Sequence, residues 1–90
     1  MDTLDSRRRR LLFRATHRGT QETDMLLGGY VAARIAAMDG TELDALEAVM
    51  ELPDVDLADW LTGRRPIPPG EHHALLRTIA AEALARGAGR

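Results

Sequence analysis

The octet His17-Arg18-Gly19-Thr20-Gln21-Glu22-Thr23-Asp24 sets an imidazole, a guanidinium and two carboxylates around one glycine. Two kinds of chemistry are open to it. His17 with Glu22 and Asp24 could form a general-base group, but no activated nucleophile accompanies them. The other chemistry is recognition. Arg18 offers a planar fork of donors to a carboxylate or carbonyl, Glu22 and Asp24 offer acceptors, and Gly19 carries no Cβ, so another surface could approach closely. A structural reading stands beside both, in which Gly19 stops one helix and Glu22 complements the dipole at the start of the next.

The other polar clusters carry less. Glu71-His72-His73 has ligand-type side chains, but adjacent helical residues point about 100° apart, so two imidazoles cannot easily share one ion. Asp54-Val55-Asp56-Leu57-Ala58-Asp59 opens like a calcium loop, yet Ala58 takes the fifth ligand position and Asp59 the place of the sixth-position glycine, so it reads as a helix start. No nucleophile elbow, Walker loop or dinucleotide fingerprint occurs. With no cysteine, disulfides, thiolate metal sites and cysteine nucleophiles are all excluded.

These groups must be positioned by helices, because no segment alternates with a period of two. Leu4-Asp5-Ser6 offers a cap for a first helix that runs through Arg7–Arg10 to Gly19, with Leu11, Leu12, Phe13 and Ala15 as its apolar flank. Thr20 caps a second helix with Glu22 and Asp24 in its first turn and Leu27, Tyr30, Val31, Ile35 and Met38 along one side. Asp39-Gly40 ends it. Thr41 caps a third, whose buried stripe is Leu43, Leu46, Val49 and Met50, and Pro53 closes it. Asp54 or Asp56 caps a short fourth helix bearing Leu57, Trp60 and Leu61, which Gly63 ends. Pro68 and Pro69 suit the start of a fifth, which carries Leu75, Leu76, Ile79, Ala83 and Leu84 to Gly87. Gly28-Gly29 inside the second helix costs about 1 kcal/mol per glycine relative to alanine, which implies close helix packing, a kink or a flat contact surface.

The expectation is therefore an all-α, compact five-helix bundle forming one domain over residues 1–90, with residues 1–5 and 88–90 frayed. Ninety residues with 44% of the hydrophobic class suffice for one modest core, and only three residues, Phe13, Tyr30 and Trp60, are aromatic. The net charge of −2 hides an asymmetry: residues 1–18 hold six Arg and two Asp (+4), and residues 19–90 hold six Arg and twelve acids (−6). The run Arg7–Arg10 could meet nucleic-acid phosphates, but the acidic remainder and scarce aromatics favour a solvated face or an acidic protein partner. No apolar run reaches the roughly 18 residues of a membrane span, and no signal-peptide core follows Met1, so a cytoplasmic protein is expected. Asp2 and Asp5 oppose a mitochondrial transit peptide.

Three colinear segments resemble one family. Arg18-Gly19-Thr20-Gln21-Glu22, followed by Asp24, matches the R-G-x-x-E motif of the succinate dehydrogenase assembly factors, the small SdhE-type flavinators with mitochondrial relatives. "RRRRLLFR" resembles their basic lead-in, "ELPDVDLADWLTG" their PDxDLxxWL segment, and the last helix ends in "ARG" as members often do. The likeness covers roughly residues 6–87. Thr16 and Ala58 depart from it, standing where the family favours aromatic residues.

The resemblance implies a bacterial cytoplasmic assembly factor, monomeric when free, that binds the flavoprotein subunit of succinate dehydrogenase and promotes covalent attachment of FAD to it. It leaves a related fumarate reductase subunit open as a further client. It implies no catalytic residues and no stably bound cofactor or metal, because the FAD, the acceptor histidine and the bond-forming chemistry belong to the client. It also implies no nucleic-acid partner and no membrane insertion. Arg18, Gly19, Glu22, Asp24 and His17 are the expected partner contacts. The alternative from another class is an antitoxin-type regulatory interaction protein that touches nucleic acid or a toxin through the basic first helix. A small enzyme is the third reading.

Overall fold

The computed structural model describes residues 3–87. It contains five α-helices: α1 (Leu4–Thr16), α2 (Gln21–Arg34), α3 (Gly40–Met50), α4 (Asp54–Thr62) and α5 (His73–Ala85), with a 3-10 turn (Ile35–Ala37) after α2. Among the described residues no strand occurs, so the all-α five-helix expectation holds.

Helix α2 is the central element and packs against α1, α4 and α5; α3 leans on α1 and α5. Leu26, Leu27, Tyr30 and Val31 of α2 are buried together with Leu11 and Ala15 of α1, Leu43, Leu46 and Val49 of α3, Leu57 and Leu61 of α4, and Leu76, Ile79 and Ala83 of α5. Each such leucine is worth about 1.5–3 kcal/mol relative to an exposed one, so the core is mainly aliphatic, with Tyr30 buried in it and Trp60 packed against it.

Gly28 permits the closest of these contacts. A Cβ there would stand 2.9 Å from Thr16 Cγ2 and 3.2 Å from the Ala15 carbonyl oxygen, so α1 crosses α2 over a glycine. At Gly29 the neighbour is only the Arg86 guanidinium, 2.8 Å from a Cβ position. The glycine pair is thus a crossing point on one side and a seat for a flexible side chain on the other.

Several boundaries differ from the sequence reading. Thr3, not the Leu4–Ser6 stretch, caps α1 by accepting the Ser6 N–H at 3.0 Å, so Thr3, Leu4 and Asp5 form a capped start. Residues 1–2 and 88–90, also expected to fray, lie outside the described residues. Asp39, not Thr41, caps α3, because Asp39 and Glu42 form a reciprocal capping box that a threonine two residues later cannot match. Pro53 precedes α4 and Asp54 is its first residue. Helix α5 begins at His73, after turns over Pro69–His72, rather than at Pro68-Pro69. Phe13 and Leu84, assigned to apolar flanks, are each 62% exposed.

Candidate functional site

The joint between α1 and α2 begins where Thr16 turns its hydroxyl onto the Leu12 carbonyl at 2.9 Å and His17 leaves helical geometry. Gly19 follows with φ +99°, a left-handed conformation that favours glycine. Thr20 then caps α2 by accepting the Thr23 N–H at 3.3 Å. This local grammar creates an exposed corner, and nothing lies within 4 Å of where a Gly19 Cβ would stand.

Arg18 does not point outward. Its side chain is only 12% exposed, and each of its three guanidinium nitrogens donates within the chain. Nε donates to Asp54 Oδ1 at 2.6 Å, Nη1 to the Met50 carbonyl at 2.8 Å and Nη2 to the Leu52 carbonyl at 3.0 Å. Met50 ends α3, and its carbonyl is one of the groups that a helix C-terminus leaves without an intrahelical partner. Asp54 opens α4. The guanidinium therefore neutralises the end of one helix and the carboxylate at the start of the next, clipping the α3–α4 connection to the corner. In this chain the fork expected to face a client is an internal clip.

Asp24 is likewise turned inward, accepting the Arg18 backbone N–H at 2.7 Å across the joint. It fixes the corner instead of projecting an acceptor. His17 is exposed. Its Nδ1 lies 2.9 Å from the Phe13 carbonyl, which places the proton of the neutral ring on that nitrogen. The ring stacks on Phe13 with centroids 4.0 Å apart and planes 12° from parallel. An aromatic plate beside Gly19 replaces the general-base group envisaged from sequence.

Glu22 remains outward and half-exposed, but it is paired. Arg64 Nη2 and Nη1 donate to its two oxygens at 2.7 and 3.2 Å, while Arg64 Nε donates to Asp59 at 3.0 Å. The hydrogen bonds from Arg64 hold the Glu22 carboxyl below its ordinary range and outweigh desolvation. Hydrogen bonds from Arg64, and then Arg65, do the same to Asp59. Beside this pair, Thr20, Thr23, Val55 and Ala58 line a recess of about 240 Å3. The buried Thr23 Oγ1 has no hydrogen-bond partner. Small Ala58 leaves part of this space open.

Of the five residues expected at the contact, the structure brings Gly19, Glu22 and His17 to the surface and draws Arg18 and Asp24 into the frame. Sequence reasoning missed Arg64, Asp54 and Phe13. Arg64 follows Gly63, whose φ of +82° ends α4 and turns the chain back, but no local pattern links position 64 to position 22.

The remaining clusters resolve simply. Arg7 pairs with Asp44 and Glu47, Arg8 with Asp5 and the Met38 carbonyl, and Arg14 with Glu47 and Glu51. Arg7, Arg8 and Arg14 of α1 thus meet acids of this same chain, which weakens the main sequence feature behind the nucleic-acid alternative. His73 Nδ1 lies 3.1 Å from the Pro68 carbonyl. Among the described residues there is no group of three or more side chains that could hold a metal, and no helix long and apolar enough to cross a membrane.

A family described as the flavinator of succinate dehydrogenase matches residues 9–83. A FAD assembly factor SdhE of Acetobacter pasteurianus is 47% identical over 88 residues, covering 98% of this chain and 81% of that protein. The mitochondrial succinate dehydrogenase assembly factor 2 of Mycosarcoma maydis is 35% identical over 65 residues, 72% of this chain and 27% of the relative. That of Candida glabrata is 36% identical over 61 residues, 68% of this chain and 40% of the relative. The chain therefore spans most of the bacterial relative but less than half of these mitochondrial ones.

Proposed function

This chain belongs to the family of succinate dehydrogenase flavinators, and on that footing we propose that it binds the flavoprotein subunit of succinate dehydrogenase and promotes covalent attachment of FAD to it. The names of its relatives support this reading and lend none to the antitoxin-type alternative.

One observation supports the docking site most: Gly19 stands open at a corner that Arg18 and Asp24 hold rigid, with half-exposed Glu22 beside it. In this reading the client settles against Gly19, and Glu22 and the His17–Phe13 stack flank the contact. Arg18 and Asp24 act as positioning residues that fix the corner. The chain contributes no reacting group. FAD and the acceptor histidine are the client's, and the gain comes from holding them in register, since alignment alone accounts for about 7–11 kcal/mol of a barrier in well-oriented reactions. The free protein acts as a monomer in the bacterial cytoplasm. A related fumarate reductase subunit is a second client to be tested in the same way.

The test is covalent flavin in the client. The flavoprotein subunit is co-expressed with this protein, with its Glu22→Ala variant or with neither, and the fluorescence of the client band is read on a denaturing gel. Strong signal with the wild type alone supports an assembly factor acting through the corner. Equal signal in all three lanes refutes the reading.

A further inference from the structure

A second recess, of about 410 Å3, shares no lining residue with the one beside Glu22. It lies between the end of α4, the connector and the outer side of α5. Trp60, Ile67, Ala80, Ala81 and Leu84 supply its apolar surface. Leu84, in the last turn of α5, is 62% exposed, and the two alanines leave room for a close approach.

The only charged residues in this lining are Arg65 and Arg77, although the chain as a whole carries −2. Arg65 is occupied, since it donates to Asp56 and Asp59 and lies 5.6 Å over the Trp60 ring. Arg77 differs. Its side chain makes no hydrogen bond or ion pair with any described residue, while Arg7, Arg8, Arg9 and Arg14 of α1 are hydrogen-bonded within the chain. An apolar recess with one unengaged guanidinium at its edge suits an apolar side chain that has a carboxylate close by.

We propose that this groove is a second docking surface for the client, taking an acidic segment whose apolar side chain seats against Leu84 and Trp60 while its carboxylate reaches Arg77. The inference rests on the client assignment made above. Together with the Gly19 corner, it would give the complex two points of attachment and so fix orientation as well as proximity.

The chain contains no cysteine, so Leu84→Cys supplies a unique thiol in the groove and Thr41→Cys one at the start of α3 as a control. Purified flavoprotein subunit is added, and alkylation of each thiol by iodoacetamide is followed by intact mass of this chain. Affinity is measured in parallel for wild type, Arg77→Glu, Arg77→Lys and Ala81→Trp, with thermal unfolding as the check on folding. Slowed alkylation at position 84 but not 41 is expected. Arg77→Glu and Ala81→Trp should each weaken binding about tenfold or more, and Arg77→Lys by less than about threefold. If wild type binds the client but position 84 stays reactive and the variants bind equally, the groove proposal is overturned and the corner stands. If wild type binds no client, the client assignment fails and the groove proposal with it. Protection of position 84 by raising this protein's concentration alone would make the groove a contact between copies and also overturn the proposal.

Discussion

Arg18 and Glu22 belong to one motif yet do different work, and substitution should separate them. Arg18 is nearly buried and satisfies two carbonyls and a carboxylate. Removing it strands those groups, so Arg18→Ala should lower unfolding free energy by about 2–4 kcal/mol, and any loss of flavinylation would follow loss of fold. Glu22 pairs with Arg64 where both are about half exposed. Glu22→Ala should therefore change stability by less than about 1 kcal/mol while flavinylation of the client falls. Urea unfolding of both variants alongside the flavin gel distinguishes the two roles. Gly19 raises a subtler point. A Cβ there meets nothing, but its φ of +99° is one that side chains rarely adopt. Gly19→Ala should therefore cost about 1–2 kcal/mol from backbone strain alone, and Gly19→Arg should lose assistance beyond what that cost explains.

Between elements, the glycine pair of α2 offers a sharp contrast. Alanine gains about 1 kcal/mol over glycine in a helix interior, so each Gly→Ala change begins with that advantage. At Gly28 the new methyl would press on Thr16 Cγ2 and the Ala15 carbonyl. Backbone cannot yield as a side-chain tip does, and overpacking of about 1–3 kcal/mol should outweigh the gain. At Gly29 the obstacle is the end of the Arg86 side chain, which can swing aside. Gly28→Ala should lower the melting temperature and Gly29→Ala should leave it unchanged or raise it. Equal effects at both positions would refute the crossing-point account.

Over the whole molecule, acids and arginines form a belt of ion pairs, some across helices (Arg7 and Arg14 with α3, Arg64 with Glu22, Arg34 with Glu82) and some local (Arg64 with Asp59, Arg65 with Asp56 and Asp59). The carboxyls of Glu22 and Asp59 are depressed from ordinary values of 4.5 and 3.8. A depressed carboxylate stabilises the fold above its unfolded value and ceases to do so as pH falls through its folded one. The melting temperature should therefore be flat from neutral pH down to about 5 and fall progressively below about 4.5. Arg64→Ala should soften that acid limb. Because these pairs are largely exposed, added salt should weaken them as well. An acid limb identical in wild type and Arg64→Ala would show that the belt does not drive it.

The sequence by itself determined the number and order of helices, the stop at Gly63, the cap at Thr20 and the stripes of α3. Each depends on residues a few positions apart, where capping, backbone freedom and a 3.6-residue period act directly. It also marked Gly19 as the stop between two helices, because a glycine between a helix end and a capping threonine needs little else. Sequence could not show which way Arg18 points, since that is set by carbonyls 32 and 34 residues away at the end of α3. Nor could it show that Glu22 meets Arg64 across 42 residues, or that Phe13 and Leu84 face water. Such pairings carry no period and no local signature. They arise when α2 is packed against its neighbours, because only then do unsatisfied helix ends and charged side chains come within bonding distance.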